Sequence, residues 1–170
     1  MRRILFVFPI VISLSLCIFA QSSKIQEKPN FNGVWILDEQ SSLTDEEIKN
    51  RYKDYKLVIK QTESEIKITR SAIFEGVPLT VDMILYPDNR GENNKSSFVD
   101  LKKEIKSKTQ FKKHSIIRKY GDEKVSTTEK YSLSEDEKTL ILTYKMSPKS
   151  STTIILPSDN ARLIFKRKVD

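Results

Sequence analysis

Arg118, Lys119 and Tyr120 lie in a run where His114, Ile116, Arg118 and Tyr120 share one face if the segment is a strand, because side chains alternate with period two. Gly121-Asp122 supplies a turn, and the segment from Lys124 to Leu133 would return as the second arm of a hairpin, bringing Glu129 and Tyr131 onto that face. An inward face with these groups would form a polar patch within an apolar cavity. Such a patch suits an anionic head group held by charge-assisted hydrogen bonds. Two other arrangements fit the same residues: Arg118 and Glu129 neutralise one another, or the face points to solvent.

A second chemistry lies just upstream. From Leu101 to Lys112, alternation puts Lys102, Lys106, Lys108 and Lys112 on one face and Ile105, Ser107, Thr109 and Phe111 on the other. Eight Lys or Arg residues stand between Leu101 and Tyr120 against Glu104 alone, in a chain of formal charge +7, or +5 without Arg2 and Arg3. Clustered like charge concentrates counter-ions, so this face suits an anionic surface such as lipid head groups or acidic polysaccharide. No aromatic residues interleave with the lysines to stack bases, and no nucleic-acid partner is expected. The same lysines also suit a solvated strand that discourages edge-to-edge pairing.

Other chemistries find no residues to carry them. His114 is the single histidine and there is no G-x-S-x-G elbow, so a serine-histidine-acid arrangement cannot be placed. No paired histidines, calcium loop or glycine-rich phosphate loop is present, and no metal, cofactor or enzymatic activity is expected. The carboxylate pairs Asp45 with Glu46 and Glu135 with Asp136 fall in loops or helix starts, where solvated charge is usual.

The elements that must position these groups read as strands. Phe31 to Asp38 contains the one tryptophan, Trp35, two residues after Gly33. Trp35 and Leu37 share a face, and Gly33 permits a bend or a close backbone approach where a barrel would begin. Ser41 to Tyr52 then carries a helix signature, with Thr44 and Glu47 as a capping box and Ile48 and Tyr52 on one side. Period two follows: Tyr55 to Gln61, a turn near Thr62 to Glu65, then Ile66 to Arg70, and Leu79 to Leu85 ended by Pro87-Asp88-Asn89-Arg90-Gly91. A polar loop runs to about Asp100. Further strands are expected over Leu101 to Lys112, His114 to Tyr120, Lys124 to Leu133, Leu140 to Met146 and Arg162 to Lys168. Eight or nine strands without a βαβ rhythm predict an all-β fold, an up-and-down antiparallel β-barrel with one short helix after the first strand.

Arg2 and Arg3 precede an apolar run from Ile4 to Ala20, the form of a secretory signal, with a cut expected after Ala20. Leu16 stands where a small residue would precede a lipidated cysteine, so no lipid anchor is expected at Cys17. Residues 1–20 thus read as a signal peptide, 21–30 as a flexible leader and 31–170 as one barrel domain, exported to the periplasm or beyond and monomeric.

Gly33-Val34-Trp35 resembles the G-x-W signature that opens the first strand of lipocalins and related calycin barrels. That resemblance implies an arginine near the end of the last strand packed over the indole, with Arg167 in that position and Arg162 as second choice. Phe31, Gly33, Trp35, Asp38 and Ser41, with the late segment from Tyr131 to Leu140, resemble the secreted lipocalin-like proteins of bacteria. Asp136-Glu137 stands where those proteins have an Asp-Gly turn. Arg118-Lys119-Tyr120 is also similar to the Arg-x-Tyr pair that fatty-acid-binding barrels use for carboxylates, although there it lies on the last strand, and the role is not carried over. The resemblance implies a cavity that binds a small apolar or amphipathic molecule, with Arg118, Tyr120, His114, Tyr131 and Glu129 as candidate contacts. The alternative is an envelope interaction protein with a filled barrel, acting through the basic face from Lys102 to Lys112.

Overall fold

The computed structural model describes residues 28–42, 52–95, 104–123, 125–148 and 162–169. They form ten strands: β1 (Gly33–Leu37), β2 (Tyr52–Gln61), β3 (Ile66–Phe74), β4 (Val77–Leu85), β5 (Glu92–Lys95), β6 (Glu104–Lys112), β7 (Ser115–Gly121), β8 (Val125–Leu133), β9 (Thr139–Pro148) and β10 (Arg162–Arg167). Their order in the single sheet is β4-β3-β2-β1-β10-β9-β8-β7-β6-β5, so the first strand pairs with the last and the antiparallel meander curls into a barrel. No helix occurs among the described residues; the stretch expected to be helical falls largely on 43–51, outside them, and Tyr52 already belongs to β2. The signal segment 1–20 and the leader as far as residue 27 also lie outside.

Ten strands replace the eight or nine expected. The added strand is β5, in a segment that reads as a polar loop because Glu-Asn-Asn-Lys has no apolar residue to mark an inward face. Period two operates there all the same, with Glu92 and Asn94 buried and Asn93 exposed between them.

β4 and β5 are the two edges, and side chains hold them together. The Asn94 amide acts like a peptide unit: Oδ1 accepts from Ile84 N at 2.7 Å, and Nδ2 donates to Ile84 O at 2.9 Å. Below it Tyr86 N donates to Glu92 Oε2 at 3.4 Å, and Asn89 N donates to Thr109 O at 2.9 Å.

One end of the barrel is plugged by an apolar core. Phe31, Trp35, Leu57, Ile59, Ile66, Ile68, Leu85, Ile116, Leu140, Leu142 and Phe165 are each almost wholly removed from water, a burial worth roughly 1.5–3 kcal/mol for each large side chain. Trp35 Nε1 donates to Phe31 O at 3.0 Å, which satisfies the indole inside the plug. Arg167 covers it from outside, its guanidinium carbon 4.5 Å from the Trp35 ring centroid. The same guanidinium ties the chain ends together: Nε donates to Glu137 O at 2.9 Å, Nη1 to Asn32 O at 2.8 Å and Nη2 to Asn30 O at 2.8 Å. Gly33 adopts φ +136°, which a side chain would strain, and the Arg167 stem passes within 4.0 Å of where its Cβ would be. The last residues of the predicted leader take part in this seal. Gln61 Nε2 donates to Pro29 O at 3.1 Å, and Asn30 N donates to Glu137 Oε1 at 3.1 Å.

Removing the Arg167 guanidinium leaves three carbonyls and the indole face without their cation. Arg167→Ala is expected to lower the unfolding free energy by about 2–3 kcal/mol, and Arg167→Lys to recover less than half of that, because one ammonium cannot reach all three carbonyls. Urea titration followed by the fluorescence of Trp35, the lone tryptophan, measures it; a loss below about 0.5 kcal/mol would mean that the β1–β10 ladder alone closes the barrel.

Candidate functional site

Above the plug the inward positions change from apolar to polar within one layer. On β3 the residues facing the lumen run Ile66, Ile68, Arg70; on β7 they run Ile116, Arg118, Tyr120; on β8 they run Leu133, Tyr131, Glu129. Arg118 and Glu129 are direct cross-strand partners. In the ring of ten, β3 and β8 lie five places apart, so Arg70 reaches Glu129 across the lumen rather than along the wall.

All four hydrogen-bonding groups around Glu129 converge on its carboxylate. Oε2 accepts from Arg70 Nη2 at 2.7 Å, from Tyr131 OH at 3.2 Å and from Arg118 Nη1 at 3.5 Å, while Oε1 accepts from Tyr120 OH at 2.8 Å. Arg70 Nη2 also donates to the Tyr131 hydroxyl. The chain of contacts continues through Arg118 Nε, which donates to Ser107 Oγ at 2.9 Å; Ser107 Oγ and Thr109 Oγ1 each donate to Glu92 Oε1 at 2.7 Å. Charges therefore alternate through the interior as Arg70, Glu129, Arg118, Glu92. Arg70 Nε and Arg118 Nη2 are buried and have no hydrogen-bond partner among the described residues.

Burial alone would raise the Glu129 pKa, but the charges of Arg70 and Arg118, with bonds from Arg70 and Tyr120, outweigh it and hold the carboxyl at about 2. Burial would also strip the proton from Arg70; the Glu129 charge reverses that and raises its pKa well above the ordinary value. Burial, with the nearby Glu129 charge, raises Tyr120 and Tyr131, so both remain neutral hydroxyl donors. Burial likewise raises Tyr55 and Tyr144, whose rings complete the layer from β2 and β9. The layer holds fixed charges and oriented hydroxyl donors.

Four of the five interior residues picked from the sequence meet here: Arg118, Tyr120, Glu129 and Tyr131. His114 does not. It occupies the turn between β6 and β7 with its side chain exposed, and the strand expected to begin at His114 begins at Ser115. The preceding Lys113 takes φ +55°, turning the chain before alternation could carry His114 inward. Lys106, Lys108 and Lys112 are exposed on the outer face of β6, with Lys108 directly opposite Lys119; Lys102 lies outside the described residues. Sequence reasoning missed Arg70, Glu92 and the hydroxyls of Ser107 and Thr109. The signal for Arg70 was a cation sharing an inward face with two isoleucines.

The unfolded chain protonates a glutamate near pH 4.5, whereas the folded barrel holds Glu129 ionised to about 2. Its contribution is therefore complete above pH 4.5 and lost as pH falls through about 2. Glu129→Gln is expected to cost about 3–5 kcal/mol near neutral pH, because it leaves two buried guanidinium groups short of their anion. The difference between wild type and variant should shrink across that acid window in parallel urea titrations. Taking the difference removes the contributions of Asp38, Asp88 and Asp136, whose pKa values are also lowered. A gap that stays constant down to pH 2 would contradict the assignment.

No family model and no curated protein sequence matches this chain. Solved structures do. The REP1-NXSQ fatty acid transporter is similar over 82% of this chain and 96% of its own, with a TM-score of 0.59 at 15% identity. Fatty-acid-binding protein 1 of Echinococcus granulosus is similar over 82% of this chain and 98% of its own, with a TM-score of 0.59 at 11% identity. At such identities the likeness speaks for the architecture: this chain has the fold of those proteins, an up-and-down antiparallel β-barrel.

Proposed function

We propose that the protein binds a small amphipathic molecule inside the barrel, its polar end against the Arg70–Arg118 layer and its apolar part in the half of the lumen away from the plug. One observation carries this reading: Arg70 Nε and Arg118 Nη2 are buried donors left without an acceptor among the described residues. A buried N–H without a partner costs about 1–3 kcal/mol, and a ligand oxygen would remove that penalty. The next inward positions on the far side of the layer are Ala72 on β3, Leu79 on β4, Ile105 on β6, Thr127 on β8 and Met146 on β9. Leu79, Ile105 and Met146 stay half-buried although they face the lumen, which leaves apolar surface there for a tail. The two similar structures, one a fatty acid transporter and the other a fatty-acid-binding protein, point the same way.

The test uses delipidated full-length protein and the uncharged dye Nile red, displaced in turn by twelve-carbon amphiphiles. Leu79→Trp and Met146→Trp, which fill the apolar half, should each weaken dye binding by roughly tenfold or more, about 1.4 kcal/mol, while leaving the urea midpoint within error of wild type. Dye binding that ignores both substitutions would place the ligand elsewhere and overturn the reading.

A further inference from the structure

The interior already contains a carboxylate where an anionic head group would have to sit. Glu129 is 1% exposed and takes up Arg70 Nη2, Arg118 Nη1 and the hydroxyls of Tyr120 and Tyr131. Counting Glu92, which is tied to Arg118 through Ser107, the buried charges of this layer are two guanidinium groups and two carboxylates, a neutral set. The donors that remain, Arg70 Nε and Arg118 Nη2, belong to cations whose charge is already compensated.

A second carboxylate placed against those two N–H groups would be a third anion beside two cations, a few ångströms from Glu129 and with little water to screen it. Like charges that close cannot both stay ionised without penalty. An uncharged oxygen acceptor meets the same donors at no such cost. Resting on the interior site proposed above, we infer that Glu129 is a specificity-determining residue: it biases the barrel toward amphiphiles with an uncharged acceptor head, a hydroxyl, ester or amide, and against free carboxylates.

The charge on residue 129 therefore predicts the order of ligands. In Nile red displacement near neutral pH, wild-type protein should bind dodecanol and methyl dodecanoate at least about tenfold more tightly than dodecanoate. Glu129→Gln leaves one guanidinium uncompensated, so dodecanoate should become the preferred ligand, and its addition should raise the melting temperature of the variant more than dodecanol does. Glu92→Gln removes one negative charge from the same set without touching the Glu129 contacts. It should shift the ratio toward dodecanoate in the same direction, which keeps the inference testable if Glu129→Gln does not fold. Wild-type preference for dodecanoate, or a ratio that neither variant moves, would overturn it. Wild-type protein that binds none of the three amphiphiles would instead remove the interior site itself, and this inference with it.

Discussion

A carboxylate taken out of water must be surrounded by donors, and the interior of this barrel is arranged around meeting that demand at Glu129. Four donors from three strands meet it, one of them from the opposite wall. Because Arg70 crosses the lumen, the depth at which it sits divides the barrel in two. Apolar side chains fill the space on one side and form the plug; on the other, the inward-facing Leu79, Ile105 and Met146 are only half-buried. An ion pair of this kind is weak evidence for stability, since well-packed apolar residues would often serve as well. Its more telling property is that it leaves two guanidinium nitrogens, Arg70 Nε and Arg118 Nη2, without an acceptor among the described residues.

The wall that supports this layer is closed by two different devices. At the β1–β10 junction a main-chain ladder brings Trp35 opposite Arg167, and the guanidinium adds three bonds to carbonyls, two just before β1 and one in the β8–β9 turn. On the other side of the ring, β4 and β5 are joined by the Asn94 amide and the Glu92 carboxylate, with one main-chain bond from Asn89 to Thr109 on β6 beside them. The first junction sets which end is sealed, because Phe31, the Trp35 indole and the residues just before β1 all lie there. The second lets Glu92 turn inward, where it balances Arg118 through Ser107.

Much of this was legible in the sequence where local rules decide the outcome. Gly121-Asp122 fixes the β7–β8 hairpin, and alternation on its two arms then sets Arg118 opposite Glu129 with Tyr120 and Tyr131 on the same face. The pairing of Trp35 near the start of the barrel sequence with Arg167 near its end was implied by the resemblance to the G-x-W barrels. What failed were features decided at longer range or by a single residue. Arg70 could be placed on an inward face but not matched to Glu129, since which strand lies opposite depends on how many strands complete the ring. β5 escaped because every residue in Glu-Asn-Asn-Lys is polar, so burial left no hydrophobic trace. His114 was displaced by one residue of turn geometry at Lys113, enough to change it from an inward group to an exposed one.

The Asn94 amide also makes the barrel's girth adjustable along one meridian. Spreading the wall there breaks the two Asn94 bonds to Ile84, the Tyr86–Glu92 bond and the Asn89–Thr109 bond but leaves every strand ladder intact, whereas spreading it anywhere else must unzip main-chain pairs. A hoop with one link weaker than the rest takes up strain at that link, so any widening of the wall falls between β4 and β5 while the Trp35 seal keeps its shape.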